Sequence, residues 1–221
     1  MSQLKKAALL TYINLGITNI VGIVLTPFII RMLGDSEYGL FALIGAFVGY
    51  LSILDLGLTN AIVRFVAQYR AQKDDKGQEN FLAVSLIIYS AISMVIIILG
   101  VLMYLNIDVL FGDSLSADQF DKAKIMLLMC VFNIALVIPG GAFTGICSGY
   151  EHFVFPRVLS ICKYLVRAIL VVTILYRGAD AIGLVILDTV LNIAFVASTV
   201  YYVFVILKVK IKLHSFNHSF I

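Results

Sequence analysis

Uncharged apolar stretches longer than 18 residues recur along the whole chain, separated by short polar turns. Strand-like alternation of about ten residues, which a membrane barrel requires, is absent. About 20 apolar residues cross a ~30 Å hydrocarbon core as a helix, and six such segments follow one another, at about residues 7–30, 39–63, 81–105, 125–150, 158–176 and 181–207. The pattern predicts an all-α polytopic membrane protein. Its connections are a polar turn at residues 31–38, a basic loop from Arg64 to Lys76, and the longest loop, acidic, at residues 106–124. Short links follow at 151–157 and 177–180, and residues 208–221 form a basic tail.

Composition agrees with the pattern. Of 221 residues, 62% are apolar and 13% charged, against about 25% charged in soluble domains. Six spans use nearly all of the length, so no soluble catalytic domain fits. Lys5 and Lys6 precede the first apolar run, but that run is too long for a signal-peptide core and reads as an uncleaved span.

Charge placement sets the expected orientation. Lys5, Lys6, Arg64, Arg70, Lys73, Lys76, Arg157, Lys208, Lys210 and Lys212 fall on one side, ten in all. Arg31, Lys122, Lys124 and Arg177, four in all, fall on the other. The positive-inside rule then puts both termini in the cytoplasm.

A charge at a helix centre costs ~2.5–3.5 kcal/mol on insertion scales, so those that persist face a cavity or a partner. Four lie within spans: Asp55, Lys163, Arg167 and Asp188. Lys163 and Arg167 are four residues apart and project from one helix face, about 6 Å apart along the axis. Counting back from the turn at 177–180, Arg167 and Asp188 sit at similar depths on antiparallel neighbours, where they can form a salt bridge. Asp55 lies roughly 12 Å and Lys163 roughly 8 Å from the cytoplasmic ends of their helices. One reading is a hydrated cavity whose cations receive an anion such as pyrophosphate, for which Arg offers a fork and Lys a point charge. The other is internal ion pairing with Lys163 snorkelling to the interface. Asp55 and Asp188 are candidates for coupling to an ion or proton, or for pairing.

Other polar and small residues add less. Gly141, Gly145 and Gly149, and likewise Gly45 and Gly49, form G-x-x-x-G stripes that suit close helix packing. Asn14, Asn19, Asn60, Asn133 and Asn192 fit a polar path or interhelical hydrogen bonds equally well. The Pro139-Gly140-Gly141 step predicts a kinked or broken fourth span. Cys130, Cys147 and Cys162 lack metal or redox spacing, and His152, His214 and His218 lack ligand spacing. No metal, cofactor or nucleic-acid partner is expected. Hydrolase, P-loop, zinc-protease and dinucleotide fingerprints are missing, so the chain does not read as an enzyme.

Three segments carry a family resemblance: TPFIIRMLGDSEYGL at 26–40, YLSILDLGLTNAIVRFVA at 50–67 and SGYEHFVFPR at 148–157. They resemble the polysaccharide-unit (Wzx-like, O-antigen/teichoic-type) flippases of the multidrug/oligosaccharidyl-lipid/polysaccharide (MOP) exporter superfamily. That resemblance implies two six-helix lobes around a central cavity in a prokaryotic inner membrane. It implies flipping of undecaprenyl-pyrophosphate-linked oligosaccharide, with cation-coupled drug export as the sister activity. This chain would supply the N-terminal lobe, with residues 208–221 the start of a truncated linker. A missing second lobe, or a homodimer partner, would complete it, and an inert membrane fragment is the remaining reading. The matched motifs put Asn60 and Arg64 in the second helix and Glu151 and Arg157 in the fourth connection, where lobe architecture is their implied role.

Overall fold

A computed structural model describes residues 3–51, 53, 57–111 and 117–214, and among these it contains helices and no strand. In chain order they are α1 (Gln3–Leu51), α2 (Leu58–Gln72), α3 (Asp75–Leu105), the short α4 (Ile107–Phe111), α5 (Ala117–Gly149), α6 (Val154–Tyr176) and α7 (Ala181–Tyr201). A π-helical turn, Tyr202–Ile206, extends α7. Five of these helices are long and apolar enough to cross a membrane.

The first of the five covers 44 residues, which at 1.5 Å per residue is ~66 Å, twice a hydrocarbon core. Gly34 divides it, with φ 79° and ψ 163°, a backbone state that glycine alone adopts without a Cβ clash. The polar turn at 31–38 is therefore a break at one glycine rather than a loop. The arm before it packs Leu25 and Ile29 against Val171 and Leu175 of α6 and Leu184 of α7. Beyond it, Leu40, Ile44 and Val48, spaced by four, enter the main core.

One expected span and one expected loop differ from the structure. In place of a single helix over 39–63, α1 ends at Leu51 and α2 begins at Leu58, after Gly57 at φ 74°. Asp55 lies in the segment between them, outside the described residues. The basic loop expected from Arg64 is mostly helix, because α2 runs on to Gln72 and only Lys73 and Asp74 separate it from α3. Asp74 caps α3 by accepting from the Gly77 amide at 2.9 Å. Hydrophobicity limits how far a helix stays in lipid, and says nothing of how far it continues into water.

Central α5 packs against α3, α7, α2 and α1. Its Gly141, Gly145 and Gly149 face α2, where added Cβ atoms would meet Thr59, Ile62 and Val66. The Gly45–Gly49 stripe behaves differently: a Cβ at either position meets nothing within 4 Å.

The fourth span is also not broken: α5 is continuous through Pro139. Proline removes the amide that would bond the carbonyl four residues back, at Ala135. Ser93 of α3 supplies the missing donor, its hydroxyl reaching the Ala135 oxygen at 2.9 Å. Replacing Ser93 by alanine leaves that carbonyl without a donor in a dry interface, and the expected loss is about 1–3 kcal/mol. Unfolding followed by circular dichroism checks this, and an unchanged Ser93→Ala midpoint would show that another group serves the carbonyl.

At the far end of α6 the expected tight turn is a Schellman cap. Ala179 donates to Ile174 at 3.0 Å and Gly178, at φ 84°, to Leu175 at 3.0 Å. Asp180 then caps α7 by accepting from Gly183 at 3.2 Å. The tail does not simply leave the bundle. Val209 is buried in the core, Ile211 packs on it, and His214 reaches Glu79 of α3 at 2.8 Å.

Candidate functional site

Helices α5, α6 and α7 meet around a polar cluster inside an otherwise apolar bundle. On α6, Lys163 and Arg167 share a face through their four-residue spacing. On α7, Asp188 and Asn192 share a face by the same spacing, with Thr189 turned about 100° aside. The two helices are joined by the turn at 177–180, so these faces oppose each other.

Arg167 binds Asp188 side-on, Nε to Oδ1 at 2.5 Å and Nη2 to Oδ2 at 2.9 Å. The side chains are 23% and 29% exposed. This bidentate fork commits the whole carboxylate and leaves the Arg167 Nη1 amine without a partner among the described residues.

Lys163 is held differently. Its ammonium donates to Asn192 Oδ1 at 2.5 Å and lies 5.2 Å from the Phe195 ring centroid. Asn192 Nδ2 donates to Asn133 Oδ1 of α5 at 3.1 Å. Asn133 Nδ2 donates to Thr189 Oγ1 at 2.7 Å, and Thr189 closes the run on the Val185 carbonyl at 2.7 Å. Every bond points the same way, because an ammonium can only donate and so fixes the orientation of both amides. Among the described residues no carboxylate lies within ion-pair distance of Lys163. With two cations and one carboxylate, the cluster carries a net charge of +1.

On the side of α1, Asn14 Nδ2 donates to Ser160 Oγ at 3.3 Å. Asn14 Oδ1 is buried with no hydrogen-bond partner among the described residues.

The remaining candidates lie elsewhere. Asn60 is exposed at the start of α2, and Arg64 is exposed on the same helix with its guanidinium 5.9 Å from the Phe65 ring. Glu151, at φ 63°, turns the chain after α5, and Arg157 is exposed near the start of α6. None of these four joins the cluster. No group of three or more metal-ligating side chains occurs among the described residues.

Both bundle ends are fastened by their own contacts. At one, Lys122 of α5 bonds Glu37 of α1 and lies 3.5 Å from Asp180, while Glu37 also accepts from the Ala181 amide at 3.3 Å. At the other, Arg70 donates to the Gly149 carbonyl at 3.1 Å and its guanidinium sits 4.3 Å from the Tyr150 ring centroid. Gln78 donates to the Tyr150 hydroxyl at 2.6 Å, and His152 pairs with the Tyr202 hydroxyl at 2.8 Å.

Thr189 was not distinguishable from sequence, and Asn133 and Asn192 were two among five intramembrane asparagines. A signal existed in part: Asp188, Thr189 and Asn192 group three polar side chains within five residues of a mostly apolar span.

Residues 4–221 match the sequence model of the family described as polysaccharide biosynthesis protein. The chain belongs to that family. No curated protein gives a significant sequence match.

Among solved structures, a MOP superfamily transporter from Pyrococcus furiosus superposes with a TM-score of 0.75 at 16% identity. The match covers 96% of this chain and 47% of that one. A MATE in complex with MaD3S superposes with a TM-score of 0.77 at 17% identity, covering 97% and 48%. An outward-facing MATE multidrug resistance transporter of the MOP superfamily gives 0.76 at 16%, covering 96% and 47%. The fold is therefore that of a MOP transporter lobe, and this member of the polysaccharide biosynthesis family is a multi-pass membrane protein. It spans about half the length of these solved relatives.

Proposed function

We propose that this chain is the N-terminal half of a flippase that moves undecaprenyl-pyrophosphate-linked oligosaccharide across the inner membrane of a prokaryote. Both termini lie in the cytoplasm, the bilayer supplies the substrate, and a second lobe or a second copy faces this one. Two lobes are needed because alternating access rocks one against the other.

The observation that carries this reading is the cation excess at Lys163, Arg167 and Asp188. A half-buried ammonium whose hydrogen-bond partner is neutral favours an anion beside it, and a pyrophosphate diester is such an anion. Lys163 and the uncommitted Nη1 of Arg167 contact the headgroup, while Asp188 serves as the resident counter-charge. Asp55 is the candidate for coupling to a cation or proton. Asn60, Arg64, Glu151 and Arg157 shape the lobe. Transport of this kind breaks no covalent bond, so no catalytic residue is assigned.

The second reading is a lobe of a cation-coupled multidrug exporter, favoured by the MATE structures among the neighbours. Pocket polarity weighs against it. The Pyrococcus furiosus relative is itself described as a MOP transporter whose reverse pocket polarity suggests a different function. A non-transporting fragment is the third.

The test is complementation in a cell lacking its own flippase, with this chain expressed alone and beside the second lobe of a full-length relative. Rescue of surface polysaccharide is expected only with the second lobe. Lys163→Gln at normal abundance is expected to lower it about tenfold or more, the scale of one charge-assisted hydrogen bond, and Lys163→Arg to restore part of it. Drug resistance in place of polysaccharide would select the exporter reading. Neither activity, with both lobes inserted, would select the fragment.

A further inference from the structure

Lys163 is half-buried and lines a groove of about 140 Å³. Across it, Leu159, Lys163 and Val166 of α6 face Leu191, Phe195 and Ser198 of α7. Each set of three is spaced i, i+4, i+7, the ridge of one helix running beside the ridge of the other. Except at Lys163 and Ser198 the walls are apolar. The groove opens onto apolar surface, where Leu165, Val166 and Ile169 of α6 and Val190 and Ile193 of α7 are exposed.

We propose that this groove is a lateral binding site for a phosphate-bearing lipid taken directly from the bilayer. One phosphate oxygen sits on the Lys163 ammonium, which has three donors and spends one on Asn192. The first methylenes of the chain lie against Leu159, Val166, Leu191 and Phe195. Arg167 is not the first contact, because Asp188 already holds two of its nitrogens. The volume equals about five waters at ~30 Å³ each, room for a phosphate and a few methylenes but not for a sugar, so any saccharide stays outside. The site depends on the transport reading only for the identity of its lipid.

A second, larger groove of about 500 Å³ supplies the control. It lies between α1 and α6, lined by Ile20, Val24, Ala168 and Val172 among others, with no charged side chain in its walls. Its chemistry fits any acyl chain and gives no reason to prefer an anionic lipid.

The chain contains no tryptophan, so a single introduced indole reports on its own surroundings. Leu191→Trp and, should that variant fold poorly, Leu159→Trp place it in the cationic groove, and Ile20→Trp in the apolar one. The whole chain is reconstituted in phosphatidylcholine vesicles with a minor fraction of phosphatidylglycerol brominated on its chains. Quenching in the cationic groove is expected to correspond to about fivefold local enrichment of the anionic lipid, the scale set by one membrane-facing lysine. Lys163→Gln returns it to the bulk composition, and Ile20→Trp reports bulk composition throughout.

Relief of quenching by unbrominated undecaprenyl pyrophosphate, but not by inorganic pyrophosphate, identifies the substrate lipid as occupant. No relief by either assigns the site to ordinary anionic phospholipid, which also supports it. Relief by inorganic pyrophosphate alone shows a free-phosphate site and overturns the lipid proposal. Bulk-level quenching at both groove positions overturns it too, as does enrichment that survives Lys163→Gln. If quenching is at bulk level while Lys163→Gln still abolishes complementation, the groove is rejected and the transport reading stands. Lysine-dependent enrichment combined with normal polysaccharide in Lys163→Gln keeps the groove and removes Lys163 from transport.

Discussion

Replacing Asp188 by leucine is expected to cost about 3–5 kcal/mol of stability, the cost of removing one partner from a shielded ion pair. The loss exceeds that of an ordinary surface ion pair because Arg167 cannot deprotonate, and among the described residues no second carboxylate lies within ion-pair distance to replace Asp188. The double variant Arg167→Met/Asp188→Leu removes both charges together and is expected to recover close to the original stability, since a well-packed apolar pair often matches a buried salt bridge. Unfolding of the single and double variants followed by circular dichroism measures the coupling. A double variant as unstable as Asp188→Leu would locate the deficit in packing rather than in charge. Complementation separates the two roles of Arg167: with stability restored, surface polysaccharide still falls if the guanidinium contacts the substrate, and returns if its only task is to hold α6 to α7.

That pair also shows how far the sequence reaches. Arg167 and Asp188 flank one short turn, so a fixed rise per residue places them at equal depth, and turn length alone makes their helices antiparallel neighbours. Asn133 completes the same cluster from α5, 56 residues from Thr189, and no periodicity encodes which of several polar residues on a distant helix will face it. Pro139 teaches the same lesson in reverse. The lost amide is a local property and predicts a kinked or broken span; the helix is unbroken, and the donor that reaches the freed carbonyl comes from Ser93 on another helix. The class of fold was legible because burial in lipid acts on every residue of every span. Lateral helix adjacency depends on a few contacts between segments far apart in sequence, and those appear only in three dimensions.

The two glycine stripes put this distinction to a direct test, because their patterns are the same and their surroundings are not. Gly145→Leu is expected to destabilise the chain by about 3 kcal/mol, the upper part of the range for overpacking. A Cβ there would stand 3.0 Å from the Thr59 carbonyl oxygen and 3.1 Å from Ile62 Cγ2, and the first of these is backbone that cannot turn aside. For α2 to admit the side chain it would have to move away from α5, weakening the contacts of Ile62 and Val66, both buried in the main core. Gly45→Leu meets open space and is expected to change stability by no more than about 1 kcal/mol, with the sign favourable because leucine outranks glycine as a helix former. Denaturation of the two variants under identical conditions checks both. A tolerated Gly145→Leu would mean that α2 does not rest on the α5 stripe. An equally costly Gly45→Leu would mean that another helix lies against the second arm of α1.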